Sequence, residues 1–165
     1  MNITTDRINI RELTLKDAPF LVELLNSNGF IENIGDRGIR TVKQAEEMIL
    51  EKYIVNYPTH GLFIVVRRND HTAIGSVSFL KRDFLAFEDI GYAFLPDYFG
   101  KGYAFEAASA LVNYAKRKGL TALNGVVDFP NIASQNLLLK LGFKEDGVVV
   151  MDGEEEPIKK YTLIF

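Results

Sequence analysis

Two glycines, Gly100 and Gly102, stand one residue apart in the segment PDYFGKGYAFEA, between an apolar run and a helical pattern. Glycine has no Cβ, so backbone N–H groups in such a turn can approach an anion, and the dipole of the following helix favours negative charge at the same place. The segment therefore predicts a cradle for a phosphate-like anion. The alternative is that the two glycines only permit a tight turn from strand to helix.

The loop differs from the two common nucleotide-binding motifs. A Rossmann fingerprint would need a third glycine where Phe105 stands, and a P-loop would need Gly-Lys-Ser/Thr after a longer loop. Neither motif is present. A nucleotide-binding domain that uses the same glycine loop in another way stays open as an alternative.

Polar side chains on either side of the loop could move protons. Glu88 and Asp89 begin the strand before the loop, and alternation along a strand puts them on opposite faces, so only one can face a cleft. Downstream, Asn131 and Ser134 begin another helical pattern. Asparagine is a preferred N-cap and a first-turn serine often bonds to the backbone, so both residues also have a purely structural interpretation.

Length, composition and charge exclude several classes of function. The 165 residues suit one domain, 1–165, and the 47% share of hydrophobic residues indicates a folded globular protein. A net charge of −3 provides no global positive field, so neither nucleic acid nor a membrane surface is expected as a partner. The chain has no cysteine, which excludes thiol nucleophiles and disulfides.

The histidines and the start of the chain narrow the possibilities further. His60 and His71 lie in turn-like settings and cannot form a multi-histidine metal site with nearby ligands, so both are expected on the surface and no metal is predicted. The first residues lack the charged and apolar regions of a secretion signal, and no apolar run reaches the roughly 20 residues of a membrane span. A cytoplasmic protein is expected.

Hydrophobic periodicity predicts the elements that must position these residues. Strands are predicted at 7–13, 62–67, 72–80, 87–95, 123–127, 143–151 and 158–165. Helices are predicted at 14–28, at 41–57 after a Thr41–Gln44 capping box, at 103–119 and at 131–141, with a loop at 29–40. The order β, αα, βββ, α, β, α, ββ favours a mixed sheet with helices on both faces.

Two motifs resemble those of the GCN5-related N-acetyltransferase (GNAT) superfamily. Its pyrophosphate loop, Gln/Arg-x-x-Gly-x-Gly/Ala, aligns on residues 99–104, and its later Asn-x-x-Ser…Leu-Gly-Phe motif is matched by NIASQNLLLKLGF, residues 131–143. The segments IGYAFLPDYFGKGYAFEA, INIRELTLKDA and IGDRGIRT are similar to the branch that includes ribosomal-protein N-terminal acetyltransferases. One departure is Phe99, which stands where the superfamily prefers Gln or Arg.

The resemblance implies a fold and a co-substrate. The fold would be α+β, with a mixed, mostly antiparallel sheet of about seven strands, helices on both faces and one splayed strand pair. Acetyl-CoA would lie between the splayed strands, with its pantetheine arm against the backbone of Ala93 and Phe94 and the side chain of Asn131. A backbone N–H near Phe94 would bind the oxyanion. The backbone of the loop would hold the pyrophosphate, through Phe99, Gly100, Lys101, Gly102, Tyr103 and Ala104.

The resemblance also implies which residues transfer protons. Asp89 aligns with the acidic residue that precedes Ile-Gly-Tyr in that branch, and it is expected to be the general base, with water between it and the amine. Many members donate a proton from a tyrosine where this chain has Leu138. Ser134 is therefore the expected proton donor to the departing thiolate, and Tyr92 and Tyr103 are further candidates.

The resemblance implies an N-acetyltransferase that moves an acetyl group directly from acetyl-CoA to a primary amine, as a monomer or homodimer. The acceptor would be a peptide N-terminus, including that of a ribosomal protein, a polyamine or a small molecule. It would enter over residues 29–40, the second helix and the final hairpin, where Arg37 and Arg40 could bind its carboxylate or backbone. The alternative is a catalytically idle acyl-CoA-binding sensor or assembly module, which Leu138 and Phe99 make conceivable.

Overall fold

Eight strands and five α-helices make up the computed structural model, which describes residues 1–165. The strands are β1 (Ile3–Thr4), β2 (Ile8–Glu12), β3 (Gly61–Arg67), β4 (Ala73–Leu80), β5 (Asp89–Phe94), β6 (Ala122–Val127), β7 (Lys144–Val150) and β8 (Pro157–Ile164). The helices are α1 (Ala18–Leu25), α2 (Asn28–Asn33), α3 (Val42–Met48), α4 (Tyr103–Arg117) and α5 (Ile132–Lys140).

All eight strands form one mixed sheet in the order β1-β2-β3-β4-β5-β6-β8-β7. Every neighbouring pair is antiparallel except β5 and β6, which are parallel. The prediction of a mixed, mostly antiparallel sheet is confirmed. The sheet has one strand more than expected, because β1 contains only two residues, too few to show a hydrophobic period.

Helices cover both faces of the sheet, as predicted. One face is buried by α4, whose Ala107, Leu111 and Ala115 pack with Phe63 and Tyr161 of the sheet. The other face is buried by α1 and α3, where a second cluster includes Leu21, Leu24, Ile49 and Ile64. None of the helices combines the length and the apolar character that crossing a bilayer requires.

Local signals predicted the start of α3 well, although the α-helix ends at Met48 and not near residue 57, and they predicted α2 poorly. The hydroxyl of Thr41 accepts a hydrogen bond from the Gln44 backbone N–H at 3.2 Å, and the Gln44 side chain accepts one in return from the Thr41 N–H at 3.1 Å, so the capping box is confirmed. The prediction of a loop over 29–40 was wrong in its first part, because α2 forms there. Phe30 buries its ring in the α1–α3 core, which stabilises a turn that Gly29 alone would end.

Asn124 joins β5 to β6 at one end of their contact. The two strands are paired only where Asp89 faces Asn124, and the Asn124 N–H donates to the carbonyl of Glu88 at 2.8 Å. The buried Asn124 side chain accepts from the Phe87 N–H at 3.1 Å and donates to the Thr162 hydroxyl at 2.8 Å. This residue therefore sets the point from which β5 and β6 part.

Replacing Asn124 by alanine should weaken the fold. Asn124→Ala leaves the Phe87 N–H without its acceptor and removes the bond to Thr162, and we expect the free energy of unfolding to fall by about 2–3 kcal/mol, measured by urea denaturation. Asn113→Ala is the control, because Asn113 is exposed on α4 and an exposed substitution should cost less than about 0.5 kcal/mol. Equal stability of the two variants would contradict this role of Asn124.

Candidate active site

A gap opens between β5 and β6 beyond their single paired position. On its other side, β5 pairs with β4, and the Leu95 N–H donates to the Ile74 carbonyl at 3.0 Å. In an antiparallel pair, the N–H and C=O groups of every second residue point toward the partner strand, so those of Ala93 also point toward β4. The backbone groups of Tyr92 and Phe94 therefore point into the gap. Of the two residues predicted to pair with a pantetheine arm, Phe94 turns its backbone to the gap and Ala93 does not.

The glycine loop leads from the end of β5 into α4. Gly100 and Gly102 have φ angles of +70° and +82°, a backbone conformation that favours glycine. The six consecutive backbone N–H groups from Gly100 to Phe105 donate to no acceptor in the protein, and no side chain caps α4. These donors lie at the positive end of a 15-residue helix, so the loop fits an anion of the diphosphate type.

The side chains of Phe99 and Tyr103 both lie away from this row of donors. The Phe99 ring packs on α2 so closely that a Cβ on Gly29 would lie 2.7 Å from it. Tyr103 is buried, and its ring lies beneath the Arg7 guanidinium, 4.4 Å from the ring centroid. Any contact of these two residues with an anion would come from the backbone, and Tyr103 is badly placed to donate a proton at the gap.

Ser134 and Tyr92 meet where α5 faces β5. The Tyr92 hydroxyl lies 2.9 Å from the Ser134 hydroxyl and also donates to the Ser134 carbonyl at 3.2 Å. Burial raises the pKa of Tyr92 to about 12, against a smaller lowering by the Ser134 hydrogen bond, so the phenol is protonated at neutral pH. The structure thus brings together two of the hydroxyls that the sequence singled out separately.

The residues around this pair hold α5 in place. Asn131 caps the helix, since its side-chain oxygen accepts from the Ser134 N–H at 3.2 Å. Leu138 is buried against β6, where a Cβ on Gly125 would lie 3.0 Å from its side chain. Leu138 therefore fixes the distance between α5 and the sheet and has no polar role.

Asp89 lies on the opposite face of β5 from Tyr92. Tyr92 packs with the α4 core and Ala93 with the α1–α3 core, so alternation puts Asp89 on the α1–α3 face. Its buried carboxylate accepts from the Arg82 Nε at 2.9 Å. Burial raises the pKa of Asp89, and the charge and hydrogen bond of Arg82 offset part of that effect. Glu88 points to the other face, as the alternation predicted, and lies 3.9 Å from His60.

Arg82 lies beside Asp89, and Tyr53 packs against the α1–α3 core on the same face. Burial raises the pKa of Tyr53, and the charges of Arg37 and Arg82 lower it in part. Arg37 makes no ion pair or hydrogen bond, and Arg82 bonds only through its Nε. Arg40, the other predicted acceptor contact, is instead paired with Asp36 and donates to the Asn26 side chain at 2.7 Å.

The histidines take no part in this site. His71 is exposed as predicted. His60 also lies at the surface, where its half-buried ring stacks on Phe79 with 5.6 Å between ring centroids. No group of three or more His, Asp or Glu side chains is arranged to hold a metal ion.

Sequence reasoning missed two residues of the site, Arg82 and Tyr53. Both lie outside any recognisable motif, in a strand connection and in the turn after α3. In the sequence, Arg82 resembles an ordinary charged surface residue because it lies in an irregular connection between strands. Only the fold brings it beside Asp89. Only the folded chain shows these contacts.

Comparison with known proteins relates most of the chain to one protein family. The family model for the acetyltransferase (GNAT) domain matches residues 7–144. The uncharacterized N-acetyltransferase YoaA of Bacillus subtilis is 30% identical over 151 residues, which is 89% of this chain and 85% of YoaA.

Solved structures share the whole fold. The ribosomal-protein-S5-alanine acetyltransferase from Vibrio fischeri superimposes with a TM-score of 0.78 at 21% identity, covering 99% of this chain and 96% of that one. The microcin C7 self-immunity acetyltransferase MccE, solved in complex with acetyl-CoA and AMP, gives a TM-score of 0.81 at 22% identity, covering 98% of this chain and 94% of that one.

Gly102→Ala should weaken coenzyme A binding, whereas Gly119→Ala should not. Both glycines have φ near +80° and flank α4, so alanine strains the backbone at either site by about 1 kcal/mol. Only Gly102 lies among the six free donors. We expect the dissociation constant for coenzyme A, measured by calorimetry, to rise about tenfold in Gly102→Ala, the loss of about one charge-assisted hydrogen bond. Equal affinity in both variants would contradict the loop as the anion site.

Proposed function

The chain belongs to the GNAT acetyltransferase family, and from this premise we propose that it moves the acetyl group of acetyl-CoA directly to the primary amine of a peptide. It is an N-acetyltransferase that uses acetyl-CoA, and the peptide N-terminus as acceptor is the proposal. The proposal rests on one observation: the glycine loop, the gap and the Tyr92–Ser134 pair all lie along one side of β5.

The backbone binds the co-substrate. The free N–H groups of residues 100–105 hold its diphosphate, and the gap-facing backbone of Phe94 pairs with its extended arm as a neighbouring strand would. Acetyl-CoA supplies the activated acetyl group as a thioester. The N–H of Tyr92, which also faces the gap, lies deeper than Phe94 and is the better placed donor for the carbonyl oxygen as negative charge develops there.

The two hydroxyls supply the proton that the departing thiolate needs. Ser134 donates it, and the Tyr92 hydroxyl, 2.9 Å away, orients Ser134 and can pass it a proton in turn. Because the pKa of Tyr92 is raised to about 12, this pair remains protonated at neutral pH. Asn131 caps α5 and so keeps Ser134 at the end of the helix that faces the gap.

The α1–α3 face receives the acceptor. Asp89 accepts the proton that the amine loses as the new C–N bond forms, through a water molecule, while the C–S bond breaks on the other side of the strand. Arg37 and the terminal nitrogens of Arg82 are free to bind acceptor carbonyl or carboxylate oxygens, which a peptide offers and a polyamine does not.

An acceptor screen tests this function. Release of free thiol from acetyl-CoA is measured with short peptides, polyamines, amino acids and small amines, and we expect turnover with peptides that carry a free N-terminus. Ser134→Ala and Tyr92→Phe should each lower kcat about 10- to 100-fold, because general acid catalysis contributes at least that much. The exposed Asn136→Ala on the same helix is the control. Binding of acetyl-CoA without turnover of any amine would overturn the proposal.

Asp89 should set the acid side of the pH profile. The carboxylate must be ionised to accept a proton, and burial raises its pKa, so kcat is expected to fall as the pH drops through a value above that of a free aspartate. Asp89→Asn should have a lower kcat and lack this limb. The measurement is kcat between pH 4.5 and 8.5 for both forms, with Glu88→Gln, on the other face, as the control. An identical acid limb in Asp89→Asn would exclude Asp89 as the base.

A further inference from the structure

We propose that Arg7, immediately before β2, is a positioning residue that aims the anion-binding loop, an inference that rests on the proposed function. Arg7 is far from the loop in sequence and belongs to neither motif that points to the site. The fold brings it against the back of the glycine loop, where its side chain contacts both the loop and the first turn of α4.

The Arg7 guanidinium holds three groups at once. Its Nη1 donates to the Lys101 carbonyl at 2.8 Å, and its Nε donates to a carboxylate oxygen of Glu106 at 2.7 Å. The same group lies over the Tyr103 ring, 4.4 Å from the centroid. The Arg7 backbone N–H adds a further bond to Glu106 at 2.9 Å. A planar guanidinium suits such multiple contacts, which an ammonium group could not all make.

The bond to Lys101 determines where the next amide points. In a planar trans peptide the C=O and the following N–H point in opposite directions. By holding the Lys101 carbonyl behind the loop, Arg7 directs the Gly102 N–H toward the front, into the row of free donors. Gly102 leaves the guanidinium the room to do so, since a Cβ there would lie 3.2 Å from the Arg7 Nη2.

The bonds to Glu106 remove a conflict of charge. Glu106 lies in the first turn of α4, beside the proposed diphosphate site, where an unpaired carboxylate would repel a diphosphate. Burial acts to raise the pKa of Glu106, but the hydrogen bonds from Thr5 and Arg7 together outweigh it and lower the pKa, so Glu106 is ionised at neutral pH. Arg7 neutralises that charge, and its hydrogen bonds to Glu106 hold α4 and the glycine loop against the start of β2.

Calorimetric titration of the full chain with coenzyme A tests this role. We expect Arg7→Gln to bind about tenfold more weakly than the wild type, since a charge-assisted hydrogen bond of this kind is lost. Arg68→Gln is the matched control. Arg68 donates to the carbonyls of Thr5 and Asp6, between β1 and β2, at 2.7 and 3.0 Å, but it does not contact the glycine loop. Its affinity for coenzyme A should not change.

Two further measurements distinguish orientation of the loop by Arg7 from an effect of Arg7 on protein stability or on charge. In steady-state kinetics, Arg7→Gln should raise the KM for acetyl-CoA and leave the KM for the acceptor unchanged, whereas general loss of folded protein would lower only the apparent kcat. Arg7→Lys keeps the charge but cannot hold Lys101 and Glu106 together, so it should remain severalfold weaker than the wild type in coenzyme A binding.

The outcomes distinguish this inference from the function on which it rests. Wild-type affinity in Arg7→Gln, or full recovery in Arg7→Lys, would overturn the positioning role while leaving the proposed function intact. Failure of the wild-type chain to bind coenzyme A would instead overturn both. Should Arg7→Gln not fold, the Arg7→Lys titration alone decides, because it preserves the neutralisation of Glu106.

Discussion

The parting of β5 from β6 is the constraint on which the rest of the site depends. A parallel strand pair normally continues its hydrogen bonds along its whole length, and here it is held at one position, Asp89 opposite Asn124. Asn124 fastens that closed end to Phe87 and to β8. One residue further along β6, close packing of Leu138 on Gly125 keeps α5 against the strand. The backbone groups of β5 that β6 would have bonded are thereby left free.

The free edge of β5 and the first turn of α4 provide two groups of free backbone donors, separated by the bonded N–H groups of Leu95, Tyr98 and Phe99. Tyr92 and Phe94 present theirs along the gap, and residues 100–105 present theirs at the end of it. Backbone donors need no particular side chain, which explains how Phe99 can stand where an Arg or Gln is usual in the superfamily. Under the proposal, two features set the direction of these donors: the positive φ angles that the glycines permit, and the hydrogen bond from Arg7 to the Lys101 carbonyl. Although the chain carries a net charge of −3, this region therefore suits an anion.

Features of short range could be read from the sequence, and features of long range could not. The Thr41–Gln44 capping box and the strand–glycine–helix context of Gly102 involve neighbours in the chain, and both are present. The loop predicted over 29–40 was partly wrong because burial of Phe30 outweighed the local effect of Gly29. Arg7 and Glu106 are 99 positions apart, and Tyr92 and Ser134 are 42 apart. No local pattern links such pairs, so only the folded sheet shows that they meet.

Strand alternation also explains how the proposed general base and the proposed proton donor can act on opposite sides of the reacting carbonyl. Asp89 and Tyr92 lie on the same strand but face opposite sides of the sheet, one toward α1 and α3 and the other toward α4 and α5. A reacting carbonyl held in the gap between β5 and β6 would be open to both sides. An amine could then approach from the face of Asp89 while the sulfur departs toward Ser134. Under the proposed mechanism, the opening in the sheet lets the amine reach the thioester directly. No side chain then has to carry the acetyl group as a covalent intermediate.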